Sequence, residues 1–218
     1  MLSPQQLVSC SPNPKHCGGS GGCDGSTQEL AFAYTETAGL SLDASYPYTG
    51  TTGTCDATKV QPAVKNDGYV FLPVNNYTSL LSAVATVGPV AISIAASSLD
   101  FQLYGGGVYD GKGCGWVEDH AVGLVGYGTQ PAAGGGGREA AAAMQYWIVR
   151  NSWGAGWGDG GYMYLARFGE GQEPCGQDQS PCDGSACEGA ACKKAITLCG
   201  ACGVLSDSSY PTGVQLVA

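Results

Sequence analysis

A chain of 218 residues is one or at most two domains' worth of polypeptide, long enough to bury a sizeable core without help from metals or oligomerisation. Eighteen Asp and Glu against nine Lys and Arg give a net charge of −9, and no stretch gathers basic residues, which argues against nucleic acid or an anionic membrane as partner. Charged residues make up only 12% while Gly fills 36 positions, so much of the chain should be turns and closely approached backbone, and a pure helical bundle is disfavoured.

In chain order, the first third reads as loop, helix, loop. Cys10 to Asp24 is rich in Pro, Gly, Asn and Ser and should be irregular. Ser26-Thr27-Gln28-Glu29 has the form of a capping box ahead of Leu30 to Tyr34, and Gly39 closes the helix that follows. A second helix fits Thr78 to Val87, with Leu80, Leu81, Val84 and Val87 on one face and Gly88-Pro89 as its stop. From Val90 onward short apolar runs are bounded by Gly: Val90 to Ala95, Gly107 to Tyr109, Ala121 to Tyr127, Tyr146 to Arg150 and Gly161 to Ala166. Strands at this spacing predict a small antiparallel barrel or sheet. Thr129 to Gln145, with its Gly and Ala runs, is expected to be an exposed, mobile loop. Gly171 to Cys202 has almost no apolar period, so disulfides rather than a core should hold it.

Nowhere do 18 apolar residues run together, and Met1 is not followed by a leader pattern, so no membrane span and no export signal are expected within this chain. The 11 Cys nevertheless suit an oxidising compartment, and the odd count leaves one thiol over. Together these predict that a segment upstream of Met1 is missing. Asn76-Tyr77-Thr78 is a glycosylation sequon, in keeping with secretory passage.

Of the two His, His16 falls in the Cys- and Gly-rich loop and reads as a solvated residue. His120 heads an apolar run, and Asn151 ends another in Arg150-Asn151-Ser152-Trp153-Gly154. An imidazole whose ring N–H is held by an amide oxygen is the orienting half of a nucleophilic triad.

On these residues the chain resembles the papain-like cysteine proteases of the cathepsin L type. The resemblance is carried by Leu2 to Cys10, Gly22-Cys23-Asp24-Gly25, Asp119-His120-Ala121-Val122 with Val125 to Gly128, and Asn151 to Gly158; Tyr46-Pro47-Tyr48 and Ser208 to Pro211 fit the same pattern. It implies an α+β, two-domain fold present in part: residues 1–68 as the remnant of the helical domain, 69–170 as the β-barrel domain, and 171–218 as a Cys-rich segment with a C-terminal return. It implies a cysteine endopeptidase with no cofactor and no metal, acting on peptide or protein substrates, and a lysosomal, vacuolar or extracellular location.

By the same resemblance His120 is the partner of a catalytic thiolate, Asn151 orients it, and Trp153 shields their hydrogen bond from water. Gly25 and Ser26 fall where backbone holds an extended peptide, Ser26 standing where the family usually has a second Gly. Ser93, Glu118 and Asp207 align with the walls and floor of the pocket for the second residue before the scissile bond, and Asp119 precedes His120. An acid at Asp207 would let that pocket accept Arg; its bland alternative is a solvated turn Asp. Disulfides Cys10 to Cys55 and Cys114 to Cys202 are implied, with Cys23 bound to a Cys upstream. The remaining six, Cys17, Cys175, Cys182, Cys187, Cys192 and Cys199, are left open among 15 pairings; a metal site or a redox-active Cys199-Gly200-Ala201-Cys202 is disfavoured against disulfides.

The chain departs from the pattern in one respect. The family signature sets the nucleophile about 130 to 150 residues before the His, which lies upstream of Met1. No Cys here is followed by Trp or Tyr. The nucleophile, the oxyanion Gln and the helix bearing the Cys are therefore expected in the missing segment, with this chain inactive alone and the helix from Ser26 exposing apolar surface. The alternative is a vestigial or peptide-binding homologue that does not cut.

Overall fold

The computed structural model describes residues 1–131, 143–189, 192 and 194–217. In chain order its elements are helix α1 (Pro4–Cys10), α2 (Gln28–Ala38), strands β1 (Leu40–Ser41), β2 (Pro62–Lys65) and β3 (Gly68–Phe71), α3 (Tyr77–Thr86), β4 (Val90–Ile94), α4 (Leu99–Gln102), β5 (Val108–Tyr109), β6 (His120–Gln130), β7 (Met144–Arg150), β8 (Tyr162–Arg167), β9 (Cys175–Asp178), β10 (Ile196–Cys199), β11 (Ser208–Thr212) and β12 (Gln215–Leu216). They form two compact units. The first comprises residues 1–71, 180–194 and 209–218, the second 72–179 and 195–208, so the stretch from 171 onward is shared between them.

In the first unit a short sheet runs β1-β2-β12, and β3 pairs antiparallel with β11. Helix α1 starts on Ser3, whose hydroxyl accepts from the Gln6 amide at 3.0 Å, with Pro4 in its first turn. Its buried residues are polar. Gln6 donates to Tyr34 Oη at 3.0 Å and to the Gly39 carbonyl at 2.9 Å, and accepts from the Ser41 amide at 2.8 Å, tying α1 to α2 and β1. Helix α2 ends as its sequence predicts on Gly39, whose φ of 67° is disfavoured for residues with a Cβ. Its start differs from expectation. Ser26 does not cap it; Thr27 occupies that position without a side-chain bond. Glu29 accepts from Ser209 Oγ at 2.5 Å instead of closing a capping box.

The burial of α2 is inverted: Gln28 and Thr35 are its buried residues, while Leu30 to Tyr34 are half-buried or exposed. An apolar groove of about 190 Å³ runs along this face, lined by Leu7, Ala31, Phe32, Leu40, Val64 and Val214 among others.

The second unit holds the larger core. Five strands run in the order β4-β6-β7-β8-β5, antiparallel except for β5 beside β8. Ile92, Leu124, Trp147, Val149, Met163 and Leu165 are fully buried, together with Phe101 of α4. Helix α3 is capped by Asn76, whose side chain accepts from the Ser79 amide at 2.8 Å, and it buries Leu80, Ala83 and Val84. Val87 lies beyond its end and is 54% exposed, a departure from the expected face.

The predicted strands all form, and β6 and β7 run further than their apolar cores require. They include Thr129, Gln130, Met144 and Gln145, so the ends of the expected Gly/Ala loop are strand; its residues 132–142 lie outside the described ones. Part of the Cys-rich segment is also regular, since β9 and β10 pair antiparallel and Leu198 is fully buried.

Five disulfides join Cys10 to Cys55, Cys17 to Cys187, Cys114 to Cys202, Cys175 to Cys199 and Cys182 to Cys192. Among the described residues the one free thiol is Cys23, exposed in the first unit.

Candidate active site

Adjacent antiparallel strands bring His120 and Asn151 together. Gly123 of β6 faces Arg150 of β7, so the first residue of β6 and the residue after β7 lie at the same end of the sheet. Both backbones are pinned: Asp119 N–H donates to the Ile94 carbonyl at 3.1 Å and Asn151 N–H to the Gly161 carbonyl at 3.0 Å. His120 Nε2 then sits 2.8 Å from Asn151 Oδ1.

The roles of the two rotatable groups follow from a third. The Ser152 backbone N–H, which can only donate, lies 2.7 Å from the same Asn151 atom. That atom must therefore be oxygen, and the His120 nitrogen facing it must carry the hydrogen. Nδ1 is left with the lone pair, and among the described residues it has no hydrogen-bond partner. An imidazole held in this tautomer can take a proton at Nδ1 and return it, which is what a neighbouring thiol or a leaving amine requires.

Trp153 lies over His120 with ring centroids 4.9 Å apart and planes 30° from parallel. It is held from behind by the edge contacts of Phe101 at 5.7 Å and Trp157 at 5.3 Å. Asn151 itself is buried, while Trp153 is partly exposed.

Four other acid or hydroxyl residues singled out from the sequence lie in the same unit. Ser93 Oγ donates to Asp207 Oδ2 at 2.5 Å, and the Ser93 amide donates to the Asp207 carbonyl at 2.9 Å. Asp207 is only 4% exposed, which excludes a solvated turn residue. Glu118 is fully buried; its carboxylate accepts from the Ser206 hydroxyl, and its amide donates to Asp178 Oδ2 at 3.3 Å. Asp119 turns its carboxylate to the Ala96 amide at 2.8 Å and to the Ser97 hydroxyl, fixing the turn between β4 and α4. Gly25 and Ser26 belong to the first unit. Gly25 has φ +100° and accepts from the Gly21 amide at 2.8 Å, and Ser26 Oγ is buried without a hydrogen-bond partner among the described residues.

Two supporting residues went unread in the sequence. Phe101 is the platform under Trp153, and the four-residue helix α4 that carries it is too short to show an apolar period. Asp178 is fully buried in a segment whose composition suggests exposure.

The second unit contains four cysteines, and all of them are in disulfides, so among its described residues no thiol is available to His120. Among the described residues no group of three or more His, Cys, Asp or Glu could hold a metal ion, and no helix is long and apolar enough to cross a membrane.

A family model described as papain family cysteine protease matches residues 1–185. A cathepsin L-like protein of Caenorhabditis elegans is 43% identical over 168 residues, 76% of this chain and 46% of its own length. Cathepsin L of Sarcophaga peregrina is 34% identical over 213 residues, 97% of this chain and 50% of its own. Among solved structures, a cysteine protease of Carica candamarcensis in complex with E-64 superposes with a TM-score of 0.69 at 35% identity, covering 97% of this chain and 76% of that one. The bromelain protease of Ananas comosus in complex with the E64 inhibitor gives 0.68 at 32% identity, covering 97% and 77%. The chain spans about half the length of the curated relatives it matches.

Proposed function

The chain belongs to the papain family of cysteine proteases and has a partial papain-like α+β fold, and from that premise we propose that it supplies the His and Asn of a Cys-His-Asn endopeptidase whose nucleophile lies in a segment upstream of Met1. The observation that carries this reading is the His120 to Asn151 bond with its assigned tautomer, which leaves Nδ1 ready for a thiol. Two further features support it. The thiols of the second unit are consumed in disulfides, and the apolar face of α2 lies open in the first.

In this mechanism the upstream thiol gives its proton to His120 Nδ1, and the thiolate attacks the scissile carbonyl carbon. His120 then protonates the leaving amine from Nδ1, and in the second half takes a proton from the water that hydrolyses the thioester. Asn151 keeps the ring in place throughout, and Trp153 shields the bond that does so. Gly25 and Ser26 hold the peptide by backbone, while Asp207, steadied by Ser93, lies at the floor of the specificity pocket with Glu118 beside it. Peptide and protein substrates are the partners, and the five disulfides suit a secreted, lysosomal or vacuolar setting.

The test is expression of the longer polypeptide that includes the upstream segment. Peptidase activity that disappears in His120→Ala is expected. A longer polypeptide that lacks a reactive Cys, or that binds peptides without cutting them, would favour a non-catalytic homologue.

A further inference from the structure

Residues 180–189 are not part of the site described above, yet they are built onto the loop that carries Gly25. Cys187 is bonded to Cys17 across 170 positions of sequence. The two also form an isolated antiparallel bridge, flanked by Gly18 N–H donating to the Ala186 carbonyl at 3.0 Å and Glu188 N–H donating to the Lys15 carbonyl at 3.0 Å. His16 Nδ1 lies 3.0 Å from Glu188 Oε2. The segment is itself closed by Cys182 to Cys192 and by a turn in which Ala186 N–H donates to the Pro181 carbonyl at 2.7 Å.

The receiving loop transmits this contact to Gly25. Asn13 Nδ2 donates to the carbonyls of Cys17 and Gly19, both at 2.9 Å, and Asn13 Oδ1 accepts from the Cys17 amide at 2.8 Å. Gly19 packs so closely that a Cβ on it would lie 2.9 Å from Gly25 Cα, and a Cβ on Gly25 would run into the Gly18 carbonyl. His16, Gly18, Gly19, Gly21, Gly22 and Gly25 all have positive φ. Such a backbone has many alternatives when released, so a cross-link that removes them has a large effect on its order.

We propose that residues 180–189 brace the peptide-holding backbone at Gly25 and Ser26, and that Cys17 and Cys187 are positioning residues for substrate binding. This deepens the reading of Gly25 and Ser26 given above and rests on it. The brace acts through backbone position, so its loss weakens binding of an extended peptide and leaves His120 and Asn151 unaltered.

The test has two arms. In the 218-residue chain, hydrogen exchange is followed in the parent, in Cys17→Ser/Cys187→Ser, and in Gly18→Ala, whose added methyl runs into the Gly184 carbonyl while every cysteine is kept. Both variants are expected to speed exchange of the Gly21 amide about tenfold or more, with β6 and β7 unchanged. Unchanged exchange at Gly21 in both would overturn the brace. In the longer polypeptide, the same variants are expected to raise KM roughly threefold with kcat held within about twofold. Faster exchange with unchanged KM would overturn the positioning role. A parent polypeptide that is inactive would instead defeat the functional reading, and the positioning role with it, while the exchange arm still decides whether the brace exists.

Discussion

Asn151→Ala separates the stability of this region from the orientation of its imidazole. The substitution removes two hydrogen bonds, from His120 Nε2 at 2.8 Å and from the Ser152 amide at 2.7 Å. At about 0.5–1.5 kcal/mol each, their loss would cost at most about 3 kcal/mol. Two features reduce that figure. Ser152 is exposed, so water replaces its lost acceptor, and Asn151 Nδ2 is a buried donor without a hydrogen-bond partner among the described residues, so its removal relieves a penalty of about 1–3 kcal/mol. The net change in stability should be about 1 kcal/mol or less. The effect on the ring is larger, because Trp153 still stacks on it but nothing selects which nitrogen carries the hydrogen. Chemical denaturation measures the first quantity and ¹⁵N NMR of the two imidazoles the second. The parent should show His120 with hydrogen on Nε2, and Asn151→Ala should show a mixture of tautomers with a nearly unchanged denaturation midpoint. An unchanged tautomer, or destabilisation well above 3 kcal/mol, would refute the assignment of Asn151 as an orienting residue.

Glu173 is held by the amides of Phe168 at 2.9 Å and Gly169 at 3.2 Å, but burial dominates and raises its pKa above the ordinary 4.5. A raised acid contributes stability below its unfolded value that is lost as pH rises through the folded one, so Glu173→Gln should flatten the fall in thermal stability from about pH 4.5 upward, as seen in melts across that range. Phe101→Ala, at a fully buried ring against Trp153, Trp157 and Tyr109, should cost about 3–5 kcal/mol in denaturant unfolding and shift tryptophan emission. In the longer polypeptide, Asp207→Ala should reduce cleavage after Arg-containing pairs more than after Leu- or Phe-containing ones, and equal loss on both substrates would place Asp207 outside the pocket.

The strands of the second unit were legible because their apolar runs are short, bounded by Gly and buried, so periodicity and punctuation point the same way. Helix α1 was not, because it buries Gln5 and Gln6 and presents no apolar period. The start of α2 was misread for a related reason: a capping box is a local pattern, and Glu29 found a partner 180 positions away in Ser209. The pairing of Cys17 with Cys187 depends on tertiary contact alone and has no local signature. At the site, His120, Asn151 and Trp153 stood out because His120 heads one apolar run and the other two follow another, in a recognisable order. Their support did not, since Phe101 and Asp178 are buried by packing that their neighbours in sequence do not foreshadow.

The proposed function holds that this chain carries the imidazole and the amide of a proteolytic site without its nucleophile. It is tested most directly by assaying the purified 218-residue chain, under reducing conditions, on a fluorogenic dipeptide substrate with a thiol-directed epoxide as control. The account predicts neither turnover nor active-site labelling. Turnover that the epoxide abolishes would mean that one of the 11 cysteines serves as nucleophile, and would contradict it.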